Sequence, residues 1–208
     1  MRPAWPTITL IIAAVVATGC SRTPHVGIAA GSSFPPASPA STIGTVTGVP
    51  SIESPLDIDS FVTEPCHSLT NEQITKYLGE ETKTNPRKDG AAGPACSWRS
   101  DMHSDAKISI TYPQVTDEGL TAIYRNKNEA AYFTELPDVD GYPAVASSMI
   151  DARDEGECHL LVGTSNTSYV SVRAYLGDGS VGKVDPCEAA HEVATAVIGN
   201  IKAANGGK

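Results

Sequence analysis

The chain has 208 residues, with 24 Asp and Glu against 15 Lys and Arg, so its formal net charge is −9 at pH 7. Neutralising the phosphates of a nucleic acid needs clustered Lys and Arg, and this acidic chain has no basic run, so we expect no nucleic-acid partner. After a leader of about 20 residues and a polar segment, the length leaves room for one domain of roughly 140 residues.

The N-terminal stretch predicts a lipoprotein signal peptide that ends at a cysteine. Arg2 precedes an apolar segment of about 10 to 12 residues, which is too short for a membrane-spanning helix of about 20. Residues 17–20 read Ala-Thr-Gly-Cys, which is typical of a lipobox. We therefore predict that residues 1–20 form the signal with its lipobox cysteine, and that the acylated Cys20 anchors the protein on the outer face of the cell membrane. An ordinary secretory signal and an uncleaved anchor are the alternatives.

Residues 21–64 are rich in Ser, Thr, Pro and Gly. Such a composition buries too little apolar surface to offset the entropy lost on ordering, so we predict a disordered tether. As a flexible coil it would span roughly 35 Å on average. The folded domain is then expected over residues 65–208.

Within that domain, local patterns predict helices and strands in mixed order. Thr70 and Gln73 form a capping-box pattern before a helix that stops at Gly79. A second helix starts near 116–118, and Asp185 caps a third. Residue patterns predict strands around 96–99 and 132–133 and over 107–112, 142–149, 157–162 and 168–176. The last helix has an apolar stripe made of Ala190, Val193, Ala194, Val197 and Ile201. This order predicts an α+β domain with helices packed on a mostly antiparallel sheet.

Besides Cys20, the chain contains Cys66, Cys96, Cys158 and Cys187. An even set in an exported chain predicts two disulfides, and the absence of a Cys-x-x-Cys pair argues against zinc. Four cysteines allow three pairings, and the sequence alone does not choose among them. We favour sequential pairing, in which each bond ties a helix start to a strand. Each would close a loop of about 30 residues, worth up to about 3.6 kcal/mol in the chain-entropy model.

The glycine-rich segment 177–183 matches Gly-x-Gly-x-x-Gly between a predicted strand and a predicted helix. A phosphate loop would need Ser or Thr where Val184 stands, and its glycines would run directly into the helix. Here Asp185 restarts the chain with a cap of its own. We therefore interpret the segment as a flexible connecting loop.

The remaining candidate residues form no motif for metal binding or catalysis. The histidines His67, His103, His159 and His191 lack metal-ligand spacing, and the acidic stretch 151–157 lacks the spacing of a calcium loop. There is no Gly-x-Ser-x-Gly, although a Ser/His/Asp set could still assemble in three dimensions. We predict no metal, no cofactor, no catalytic residue and no enzyme activity.

Several short motifs together resemble a known family. They are the lipobox, the tether, Pro65-Cys66, Leu69-Thr70, Cys96-Ser97-Trp98 and Asp185-Pro186-Cys187 before an Ala-rich helix. The combination resembles actinobacterial envelope lipoproteins, mostly mycobacterial and nocardial, that carry a domain of unknown function. The resemblance covers roughly residues 65–203. It implies an α+β fold, similar to the PsbP type, and supplies no catalytic residues.

These observations favour a lipid-anchored binding module that contacts another envelope protein. The alternatives are a carrier or sensor of a lipid or small apolar ligand, and an extracytoplasmic hydrolase. A packed core with an exposed apolar patch would favour protein binding, and a cavity of about 300 Å³ or more would favour a carrier. Convergent Ser, His and carboxylate side chains would favour a hydrolase.

Overall fold

A computed structural model describes residues 46–103 and 106–207. Within them, four α-helices, two short 3₁₀ turns and seven strands follow in the order α1 Asp59–Thr63, a 3₁₀ turn Pro65–Ser68, α2 Asn71–Leu78, β1 Thr82–Arg87, β2 Ala95–Ser100, β3 Lys107–Thr111, α3 Leu120–Arg125, β4 Tyr132–Val139, β5 Tyr142–Ser148, a 3₁₀ turn Arg153–Glu155, β6 Glu157–Gly163, β7 Tyr169–Tyr175 and α4 Pro186–Ala204. None of these helices is long and apolar enough to cross a bilayer. The predicted Cys20, the signal peptide and residues 21–45 of the tether lie outside the described residues.

The strands form a single sheet in the order β1-β2-β3-β7-β6-β5-β4, and every neighbouring pair is antiparallel. The predicted α+β fold class with helices on an antiparallel sheet is therefore confirmed. The polar strand β1 was not predicted. It reads Thr-Lys-Thr-Asn-Pro-Arg without apolar alternation, because it pairs only with β2 at the edge of the sheet, where proline and exposed polar side chains are tolerated.

The main core lies between one face of the sheet and α4. All five residues of the predicted apolar stripe of α4 are buried, and Ile198 joins them. They pack against alternate residues of β6 and β7, such as Leu160 and Val172. Full burial of a Val or Ile side chain contributes about 1.5–3 kcal/mol, so this contact supplies much of the stability of the domain.

The opposite face of the sheet is covered at one end only. Leu120 and Tyr124 of α3 pack there against Val145, Leu161 and Tyr169 in a second, smaller cluster. Over β1, β2, β3 and β7 the side chains on this face are mostly half-buried or exposed. This part of the sheet face is open.

The domain starts earlier than predicted. The prediction of a disordered tether over 21–64 is wrong for residues 46–64, the part that the structure describes. Ile52, Leu56 and Phe61 are buried in the main core, and the segment contains helix α1. The average composition of the segment hides these three apolar residues, each of which finds a contact that exists only in the folded chain. Residues 46–64 therefore belong to the domain.

Two disulfides join the helical layer to the sheet. Cys66 in the first 3₁₀ turn is bonded to Cys96 of β2, and Cys187 in the first turn of α4 is bonded to Cys158 of β6. The predicted sequential pairing is confirmed.

We predict that Gly93→Ala strongly destabilises the domain. Gly93 has φ +135°, and an added Cβ would lie 2.2 Å from the carbonyl oxygen of Tyr112 and 3.1 Å from the backbone nitrogen of Gln114. Both neighbours are backbone atoms that cannot rotate away, so we expect the free energy of unfolding in urea to fall by at least about 3 kcal/mol. Gly179→Ala is the control, since no atom lies within 4 Å of its added Cβ, and it should change that free energy by less than about 0.5 kcal/mol. Equal stability of the two variants would contradict this account of the 93–112 contact.

Candidate functional site

A cleft of about 460 Å³ opens between the helices and one end of the sheet, and we call it the helix-side cleft. The end of α2, strands β3 and β7 and the first half of α4 surround it. Its floor is formed by buried apolar side chains, among them Leu78, Ile108 and Val193. Polar and charged residues also line it, namely Tyr77, His103, Lys107, Asp178, Ser180 and Glu192. The cleft therefore combines an apolar floor with polar walls.

One wall of the cleft is held in place by a buried hydroxyl. Ser100 donates a hydrogen bond to the carbonyl of Leu78 at 2.7 Å. The hydroxyl oxygen of Ser100 also accepts hydrogen bonds from the backbone N–H groups of Met102 at 3.2 Å and His103 at 3.0 Å. All three hydrogen-bonding positions of the hydroxyl are thus used, which fixes these two loop residues against the end of α2. A single serine at a strand end carries no signal in the sequence, and Ser100 was not predicted.

The glycine-rich segment supplies another wall. Residues 177–180 line the cleft, and Lys183 donates through Nζ to the carbonyl of Gly179 at 2.8 Å. Helix α4 begins only at Pro186, after the cap Asp185 that the sequence predicted. The glycines do not lead into the helix, so the segment lacks the geometry of a phosphate loop. That it would border a cleft was not predicted.

A second concavity, the helix groove, has about 740 Å³ and runs along the outer side of α4 between α2 and β4. Leu136, Pro137 and Ala196 form apolar parts of its lining, and Tyr77 and Glu192 line both the groove and the cleft. Three carboxylates line the groove, those of Asp185, Glu188 and Glu192, alongside the ammonium of Lys76.

A Ser–His pair lies on the opposite, open face of the sheet. His159 Nε2 is 2.8 Å from Ser171 Oγ, and a guanidinium nitrogen of Arg173 is 3.3 Å from His159 Nδ1. A guanidinium only donates hydrogen bonds, so Nδ1 is the acceptor and Nε2 carries the ring proton. His159 therefore donates to Ser171 and cannot take its proton in this tautomer. The arrangement is the reverse of the one that activates a serine nucleophile.

Burial is the main cause that lowers the pKa of His159 from 6.5 to about 4, and the neighbouring Arg173 cation lowers it further. The ring is therefore neutral at pH 7, as the tautomer requires. In the acidic stretch, a 2.6 Å bond from Arg153 to Asp151 holds the pKa of that carboxyl at about 2. This exposed ion pair lies at the turn that precedes β6.

The other sequence candidates are scattered. His67 lies in the first 3₁₀ turn, and His191 on α4 is hydrogen-bonded to the carbonyl of Pro137 at 3.0 Å. His103 borders the helix-side cleft, while His159 is on the other face of the sheet. Within residues 46–103 and 106–207, no group of three or more His, Cys, Asp or Glu side chains is placed to hold a metal ion.

Fold and sites together define a disulfide-linked α+β domain with concavities on both faces of its sheet. A family model described as "Protein of unknown function (DUF3558)" matches residues 15–200, so the chain belongs to this family. No curated protein and no solved structure matches the chain. The similarity to the PsbP type stays a prediction.

We predict that His159 makes the domain less stable in weak acid. Between pH 6.5 and about 4 the unfolded chain binds a proton at this ring that the folded chain does not, so stability falls as pH decreases through this range. The loss should reach about 2 to 3 kcal/mol, and Asp151 contributes only at lower pH. Urea unfolding between pH 7.5 and 4 measures it.

In His159→Gln most of this loss should disappear, whereas the control His191→Gln should keep it, because His159 is still present. A wild-type protein and His159→Gln with the same pH dependence of unfolding would disprove the assignment.

Proposed function

We propose that the protein is a lipid-anchored lipoprotein on the extracytoplasmic face of an actinobacterial cell membrane, and that its domain is a non-catalytic binding module. The lipobox pattern ending at Cys20 supports the anchor. The two disulfides support an oxidising compartment, because such bonds persist in exported proteins and are rare in the cytosol.

The anchor is tested by Cys20→Ser with a labelled fatty acid fed to the cells. The wild-type protein should incorporate the label and sediment with membranes, whereas the variant should lose the label, because serine has no thiol to acylate. Ser21→Ala, a change of the next residue, should keep the label and serves as the control. Equal labelling of Cys20→Ser would exclude the anchor.

The helix-side cleft carries the proposal for what the domain binds. The cleft of about 460 Å³ is open to solvent and reaches the buried side chains of Leu78, Ile108 and Val193. Its volume lies within the range of ligand pockets, about 300–1,000 Å³. The apolar floor suits the apolar part of a ligand, and Tyr77, His103 and Asp178 suit a polar end. The best-supported function is therefore the carrying or sensing of a small amphipathic molecule.

The helix groove favours a second candidate, the docking of another envelope protein. Its lining is largely apolar, and the carboxylates of Asp185 and Glu188 add negative charge, whereas that of Glu192 is paired with Lys76 at 2.6 Å. A complementary partner would present an apolar segment flanked by basic residues. The hydrolase alternative gains no support from Ser171 and His159, since the ring proton faces the serine.

Two substitutions on α4 separate these candidates. Ala189 lines the helix-side cleft and Ala196 lines the helix groove, and both are half-buried. Ala189→Trp should fill the cleft and lower the affinity for the neutral apolar dye Nile red by at least about tenfold, a loss of about 1.4 kcal/mol. Ala196→Trp should leave the dye affinity within about twofold.

Native mass spectrometry of the protein purified from its own envelope extends the test to the natural ligand. We expect a bound small molecule in the wild type and in Ala196→Trp, and none in Ala189→Trp. Loss of dye and ligand in Ala196→Trp alone would reject the cleft and favour the groove.

A further inference from the structure

The open face of the sheet has a concavity of its own, about 330 Å³ in volume, which we call the sheet-face cleft. Its floor consists of the short hydroxyl side chains of Ser109, Thr111 and Ser171. In the strand register, Ala95 lies opposite Thr111 and Ser97 lies opposite Ser109, so β2 also presents small residues in these rows. Small side chains on the neighbouring strands β2, β3 and β7 leave a shallow trough in the sheet face. It is three strands wide, and neighbouring strands lie about 4.8 Å apart.

Long side chains form the walls of this trough. Arg87 of β1 lies in the same row as Ala95, Lys107 belongs to β3, and Arg173 belongs to β7. The ammonium of Lys107 lies 3.8 Å from the ring centroid of Tyr175. Among the described residues that line the cleft, three are cationic and none is a carboxylate.

The positive charge of the three cationic side chains in the sheet-face cleft is only partly balanced by ion pairs within the domain. Arg173 contacts Glu157 at 3.2 Å and His159 at 3.3 Å, which leaves three of its five N–H groups for another acceptor. Arg87 and Lys107 form no ion pair with any described residue. Among the described residues, these two positive charges thus have no ion-pair partner, although the formal net charge of the chain is −9.

The hydroxyl donors point to the kind of anion. Ser171 Oγ accepts a hydrogen bond from His159 Nε2–H, so the hydroxyl hydrogen of Ser171 is free to donate to a ligand. A ligand in the cleft would meet guanidinium and ammonium groups from the walls and hydroxyls from the floor. The oxygens of a phosphate ester are arranged tetrahedrally and can accept from donors in several directions, whereas the two oxygens of a carboxylate lie in one plane and are matched by a single guanidinium.

We propose that the sheet-face cleft binds the phosphoryl group of an anionic ligand, either a soluble phosphate ester or a phospholipid headgroup. The neighbouring rings of Tyr169 and Tyr175 and the side chain of Leu161 give the organic part of the ester an apolar wall. The two clefts share Lys107 and Tyr175, but Arg87, Arg173 and the hydroxyls of the floor line the sheet-face cleft and do not line the helix-side cleft. The proposal therefore does not depend on the function proposed for the helix-side cleft, and Arg87→Gln tests it without touching that cleft.

Calorimetric titration of the full-length protein in a nonionic detergent with glycerol 3-phosphate tests the site. Arg87→Gln and Lys107→Gln should each weaken binding by about tenfold, the effect of losing one charge-assisted contact. Lys88→Gln removes the same charge from the position next to Arg87, but Lys88 is paired with Glu64 at 2.6 Å and does not line the cleft. This control should change the affinity by less than about twofold. Thermal unfolding of each variant verifies that it is folded.

Acetylation of lysines, read out by mass spectrometry, distinguishes the two sources of the phosphoryl group. Protection of Lys107 but not Lys88 by glycerol 3-phosphate indicates a soluble ester. Stronger protection of Lys107 after reconstitution into phosphatidylcholine vesicles that contain phosphatidylglycerol than with glycerol 3-phosphate alone indicates a lipid headgroup. No protection in either arm, equal weakening by Lys88→Gln and Arg87→Gln, or tighter binding of a poly-glutamate peptide than of glycerol 3-phosphate would overturn the proposal.

Discussion

The burial of one face of α4 against β6 and β7 is the interaction on which the rest of the domain depends. Val193, Val197 and Ile201 give up their contact with water there, and the Cys158–Cys187 bond fixes the first turn of the helix to the sheet. With its start and its apolar face both held, α4 has one position along the sheet. That position places Ala189 and Glu192 over the helix-side cleft.

The alternation of side chains along β7 explains why the two faces of the sheet have opposite chemistry. Val170, Val172 and Ala174 point into the core under α4, whereas Ser171 and Arg173 lie on the open face. The helical layer leaves an apolar-floored cleft where α2 and α4 separate. The uncovered part of the other face keeps its hydroxyls and cations accessible. A single strand pattern thus builds both an apolar and a cationic concavity.

Features encoded by neighbouring residues could be predicted. The Thr70–Gln73 capping box forms both of its hydrogen bonds, and Asp185 caps α4 at the predicted place. The fold class followed from such elements taken in order. The start of the domain could not be predicted in this way. Ile52 and Phe61 are isolated apolar residues in a polar segment, and they are buried only by contacts with distant parts of the chain. Edge strand β1 was not predicted for a related reason, since its polar sequence shows no alternation of buried and exposed residues.

The sequence by itself determined the alternating and helical apolar patterns, the caps and the even set of four cysteines, whose three possible pairings it left open. Only the tertiary structure decided which side chains meet in a cleft. Ser100, His103 and the glycine-rich loop converge on one end of the sheet, while Arg87, Lys107 and Arg173 converge on its open face. These groups come from strands far apart in sequence. Their meeting is set by the strand order β1-β2-β3-β7, and no local pattern encodes that order.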